Sequence, residues 1–117
     1  MSDNHIKEEI LDYIRKNNGT SYVGIERIFE ENNFHYQGNL EEIVSEQYPN
    51  IVLWAGWNEE ALEILREILR SGSIVREPCE LLIYMIDGKM LSYPIQKDSR
   101  SHHKPHWLPC VFTAKAV

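Results

Sequence analysis

Three histidines, His102, His103 and His106, fall within five consecutive positions, and Cys110 follows four residues beyond the last. Imidazole nitrogens and a thiolate are ligands that zinc prefers. On a helix His102 and His106 would share a face, but Pro105 stands between them and opposes a helix there. A strong zinc signal also pairs short Cys/His spacings at both ends of the site, and here Cys110 lies in an apolar stretch that reads as a strand. The segment is therefore expected to be a solvated, His-rich loop, with no metal and no cofactor.

Nucleophilic and acid–base chemistry finds no better footing. Ser, Cys and His are all present, yet no GxSxG, HExxH or glycine-rich phosphate loop occurs. Glu41-Glu42 and Glu59-Glu60 are neighbours in sequence, so on a helix they point to different sides and cannot flank one scissile bond. They fit better as first-turn partners of a helix dipole. The chain is not expected to be an enzyme.

Binding chemistry is better represented. From Lys89 to the C-terminus, Lys89, Lys97, Arg100, Lys104 and Lys115 face Asp98 as the single acid, with His102, His103 and Trp107 interleaved. A basic hairpin and loop of this kind could grip a phosphate backbone, or could be a solvated loop. Lys89, Lys97, Arg100, His102, His103 and Lys104 are the candidate contacts to nucleic acid or to a partner. Trp54 and Trp57 bracket Ala55-Gly56. The pair could anchor a partner protein or fill the core beside a strand-to-helix turn. Trp54 is assigned to the core. Trp57 is either a staple at the helix entrance or a partner contact.

The charge is divided along the chain. Residues 1–63 carry four Lys/Arg and thirteen Asp/Glu, whereas residues 64–117 carry eight and five, within a total of −6. The first half repels polyanions and the second tolerates them. At 117 residues the chain suits one domain. Scaling gives a folded surface of roughly 6,600 Å² against roughly 20,000 Å² unfolded, enough burial for one core. No apolar run reaches membrane-spanning length and MSDNHIKEE lacks a signal-peptide pattern, so the expected compartment is the cytoplasm, with no membrane partner. Cys79 and Cys110, without a CxxC spacing, are expected to be free thiols.

The elements that must position these residues follow from periodicity. Ile6, Ile10, Tyr13 and Ile14 predict a first helix, ended by Asn17-Asn18-Gly19. Thr20 or Ser21 caps a second helix bearing Tyr22, Ile25, Ile28 and Phe29. Residues 40–47, LEEIVSEQ, are expected to form a short third helix with Asn39 and Glu42 as a capping box. Ile51–Trp54 reads as a strand. Asn58 caps a strongly amphipathic helix that ends at Gly72. Ile74-Val75 is extended, LLIYMI-DG-KMLSYPI predicts a hairpin with a type I′ turn at Asp87-Gly88, and Trp107–Thr113 is a last strand. The expected fold is α+β and winged helix-turn-helix-like: a single domain with a helical part at 1–72 and a hairpin and sheet part at 73–117. Segment 34–57 is an insertion before its third main helix.

NIVLWAGWN (50–58), YMIDGKMLSYPI (84–95) and HKPHWLPCVF (103–112) resemble stretches of small uncharacterised proteins encoded by prophages and mobile elements of Gram-positive bacteria. That resemblance implies a phage-type accessory protein of winged-helix-like fold and supplies no catalytic motif. The functional expectation is a protein-interaction or regulatory module. The alternative is a DNA-binding transcription regulator using the basic hairpin and loop. Homodimerisation through an unpaired strand edge is open to either.

Overall fold

The computed structural model describes residues 3–97 and 102–115. Among these lie four helices and two small three-stranded sheets, a mixed α+β fold. Helix α1 (Asp3–Lys16) buries Ile6, Ile10 and Ile14, one residue per turn of the same face. Helix α2 (Tyr22–Glu31) is capped by Ser21, whose Oγ accepts the Gly24 N–H at 3.2 Å. Helix α3 (Glu59–Arg70) is capped by Asn58, whose Oδ1 accepts the Ala61 N–H at 2.9 Å, and it buries Ala61, Leu62, Leu65 and Ile68. All three occupy the positions that periodicity and capping residues predict.

Strands β1 (Thr20–Ser21), β4 (Ile74–Pro78) and β6 (Cys110–Ala114) form one antiparallel sheet in the order β1-β6-β4, with Thr20 and Arg76 both opposite Phe112. The second sheet contains β2 (Gln37–Ser45), β3 (Tyr48–Trp57) and β5 (His106–Trp107). There β2 and β3 run antiparallel, while β5 joins β3 in parallel with Ile51 opposite His106.

Three expectations are corrected. Residues 40–47 are not a helix: they lie in or next to β2, and Glu42, expected in a capping box, is buried and accepts from Arg76 at 3.0 Å. The pairing of β2 with β3 shifts register four times, so its side chains do not alternate regularly. LLIYMI-DG-KMLSYPI is not a hairpin: Leu81–Asp87 is helix α4, and Gly88 at φ 85°, ψ 14° is its left-handed C-cap. The last strand is two, with Leu108-Pro109 carrying the chain from one sheet to the other. Helices and strands therefore interleave and do not separate at residue 72.

Between the layers lies an aromatic core. Tyr22 stacks on Trp54 with ring centroids 5.6 Å apart and planes 11° off parallel, and Phe112, Trp57 and Phe29 extend the cluster edge to face. Trp54, Tyr84 and Trp107 meet in a triangle with centroids 5.0 to 5.8 Å apart. Each of the three unusual sequence stretches at 50–58, 84–95 and 103–112 contributes one ring to it. Cys79 and Cys110 are both free thiols, with Cys110 in the core.

Candidate protein-interaction surface

A short helix of seven residues is held by polar bonds as much as by apolar ones. Tyr84, on the inner face of α4, donates its hydroxyl to the Cys110 carbonyl at 2.5 Å and accepts the Tyr22 N–H at 3.1 Å. Burial pushes its phenol well above the usual range. At the C-terminal end of α4, Ser21 donates to the Asp87 carboxylate at 2.5 Å and Arg27 reaches the Asp87 carbonyl at 3.4 Å. One residue past Gly88, the Lys89 ammonium lies 2.7 Å from Oε1 of Glu26. The other oxygen of Glu26 accepts both buried indole N–H groups, from Trp54 at 2.9 Å and Trp57 at 2.8 Å.

This anchoring turns the opposite face of α4 outward. Ile86 is 75 % exposed, Leu82 and Met85 are each 56 % exposed, and Met90, just beyond the helix, is 52 % exposed. The residues are apolar, close in sequence and largely on one side, an arrangement that marks interaction surfaces. Methionine suits such a surface because its side chain is flexible and polarisable. Beside the face a cleft of about 210 Å³ lies between α4 and the α1–α2 turn, lined by Tyr13, Asn17, Gly24, Arg27, Ile83 and Ile86 among others.

The residues singled out in the sequence are placed elsewhere or differently. Trp57 is 1 % exposed and bonded to Glu26, so the core has it and a partner cannot meet it. Lys89 is half-exposed, but its ammonium is engaged by Glu26 and lies about 6.0 Å from the Tyr36 ring centre. Lys97, His103 and Lys104 are exposed and flank β5. Arg100 lies outside the described residues. His102 stacks on His106 with ring centroids 3.8 Å apart, and Asn50 donates to the His102 carbonyl at 2.8 Å. Trp107 does not interleave with the basic residues: it is buried and donates its indole N–H to the Leu53 carbonyl. Trp57 and Lys89 are thus tied to Glu26, whereas Lys97, His102, His103 and Lys104 lie beside β5.

Two buried carboxylates escaped the sequence reading. Glu26 falls four residues after Tyr22 and three before Phe29, so it shares their inward face; an acid at a core position of a helical stripe was the available signal. Glu42 had no such signal, because its partner Arg76 arrives from β4. Among the described residues, no group of three or more His, Cys, Asp or Glu could hold a metal ion, and no helix is long and apolar enough to cross a membrane.

The exposed face of α3 is acidic and internally matched. Arg66 pairs with Glu59 at 2.8 Å and Arg70 with Glu63 at 2.5 Å, and the Arg70 contact holds the Glu63 carboxyl below its ordinary range. Neither guanidinium is left for a phosphate. No protein-family model matches the chain, and no curated protein or solved structure does either.

Proposed function

We propose that this chain is a non-enzymatic protein-interaction module whose docking surface is the outward face of α4 with Met90. The observation that carries the proposal is the exposure of Leu82, Met85, Ile86 and Met90 on an element that polar bonds fix firmly to the core. A rigid apolar face loses little conformational entropy on docking, which is what a binding surface requires. On this reading α1, α2 and α3 with the β1-β6-β4 sheet form a winged-helix-like frame. Residues 37–57 are an insertion before α3, and residues 79–109 replace a simple wing. The element order supports that frame: helix, short strand, helix, helix, then two strands, the last of which pairs antiparallel between the first strand and the other. The resemblance of 50–58, 84–95 and 103–112 to small prophage-encoded proteins supports reading it as a phage-type accessory protein acting within the cytoplasm.

A photo-crosslinking amino acid at position 86, compared with one at Glu60 on α3, tests the reading in the native host. A discrete crosslinked product at 86 and none at 60 is the expected result. Equal or absent crosslinking at both positions would end it.

A second reading, DNA binding, has Lys97, His103 and Lys104 in its favour, all exposed beside β5. Against it stands α3, the helix in the recognition place, with Glu59, Glu60, Glu63 and Glu67 on its outer side. Anisotropy of a random duplex from 50 to 200 mM salt separates the two. Binding that falls steeply with salt supports the DNA reading, and absence of binding at low salt removes it.

A further inference from the structure

We infer that the occupant of the α4 face is a second copy of this chain, packed antiparallel about a two-fold axis through Ile86. This inference rests on the docking role of α4 proposed above and names its partner. Leu82 precedes Ile86 by one helical turn and Met90 follows it just past the Gly88 cap, both exposed, so an antiparallel pair centred on Ile86 sets apolar residues against apolar residues. A two-fold contact demands that kind of self-complementary surface, in which each residue meets its counterpart in reverse order.

Charge at the two ends agrees with the same operation. Glu80, exposed at the N-terminal end of α4, makes no side-chain capping bond, and among the described residues it forms no ion pair. Glu77, also exposed, adds to that end. At the C-terminal end the Asp87 carboxylate is taken up by the Ser21 hydroxyl, and the exposed Arg27 guanidinium, which reaches only the Asp87 carbonyl at 3.4 Å and forms no ion pair among the described residues, is the charge left outward. An antiparallel pair brings each acidic end to the other copy's cationic end, twice by symmetry. A parallel pair would oppose like charges instead. The face comprises four side chains, smaller than a standard interface, so the dimer should be weak and reversible, with a Kd on the order of 10 μM.

Sedimentation equilibrium of the full chain from 1 to about 500 μM tests the inference, because that range brackets the expected Kd. A monomer–dimer equilibrium is the expected result, with Ile86→Glu raising Kd at least about 30-fold, as loss of a central anchor does. Arg27→Glu and Glu80→Arg should each weaken self-association about fivefold or more. Mixed with each other, they should form a heterodimer near wild-type affinity, since both oppositely charged contacts are then restored, one in its native sense and one reversed. Melting curves establish that each variant folds. A chain that remains monomeric at 500 μM, a dimer indifferent to Ile86→Glu, or two charge variants that fail to complement would each overturn the inference. The crosslink at position 86 keeps the two proposals apart. A product of twice the chain mass supports self-association; a product of another mass overturns it and leaves the docking role standing.

Discussion

The carboxylate of Glu26 receives both indole N–H groups of Trp54 and Trp57 on one oxygen and the Lys89 ammonium, at 2.7 Å, on the other. Its side chain is almost wholly buried, so this acid ties α2, β3 and the end of α4 together inside the aromatic core. Glu26→Ala removes the acceptor and leaves two indole donors buried without partners, at a cost of about 3 kcal/mol. Lys89→Ala should cost only about 1 kcal/mol, because the Lys89 side chain is 49 % exposed and its ammonium already screened by water, and the Glu26 carboxylate keeps both indole N–H bonds. Chemical denaturation monitored by tryptophan fluorescence gives both values. Equal losses for the two variants would show that the indole bonds contribute nothing.

Gly38 is constrained by space. A Cβ at this position would stand 2.8 Å from the Asn58 backbone nitrogen, Asn58 Cα and the Trp57 carbonyl oxygen. Those backbone atoms belong to the cap of α3 and cannot move without disturbing it. Gly38→Ala is expected to lose about 2 kcal/mol, although Gly38 is exposed and alanine favours most backbones. Thermal unfolding measures this, and a variant as stable as the parent refutes the close approach.

Alkaline pH should unfold the protein for a specific reason. Burial raises the Cys110 thiol from 9.0 to about 11, and burial likewise raises the Tyr22 and Tyr84 phenols above their ordinary 10.0. Each group keeps its proton longer in the folded chain than in the unfolded one. The unfolded state therefore binds fewer protons as pH climbs, and stability falls with rising pH. The loss begins near pH 9 with the thiol and steepens above pH 10 as the phenols join. Urea midpoints at pH 8, 9.5 and 10.5 should decline in that order, and Tyr84→Phe should make the decline shallower. A midpoint that holds steady to pH 10.5 would contradict it.

Ile86→Glu should leave stability within about 0.5 kcal/mol of wild type, since three-quarters of Ile86 already meets water. Ile64→Ala, 2 % exposed on α3, should cost about 3 kcal/mol. Differential scanning calorimetry of the pair checks that the outward α4 face is outside the core. A large loss for Ile86→Glu would place that residue among packed neighbours instead.

Periodicity and capping chemistry were sufficient for α1, α2 and α3, because each contains its own apolar stripe and local boundary signals: Ser21 and Asn58 start α2 and α3 and Gly72 ends α3, each acting within a few residues of where it stands. The core roles of Trp54 and Cys110 and the free state of both thiols were legible for the same local reasons. Two elements were not. In LLIYMID every residue but the last is apolar, so no period separates strand from helix, and Asp87-Gly88 serves a hairpin turn and a helix C-cap equally well. Packing of Tyr84 against Trp54, Trp107 and the Cys110 carbonyl chose the helix, which then turned Ile86 outward as the surface proposed here for docking. In LEEIVSEQ the spacing of Leu40, Ile43 and Val44 suits a helix. The irregular register against β3 erased the alternation that would have announced a strand. Glu26 and Lys89 are 63 residues apart, and nothing in their own neighbourhoods declares the pair. Local signals fix what a segment can be by itself; which face is covered, and which charges meet, depends on partners brought from far along the chain.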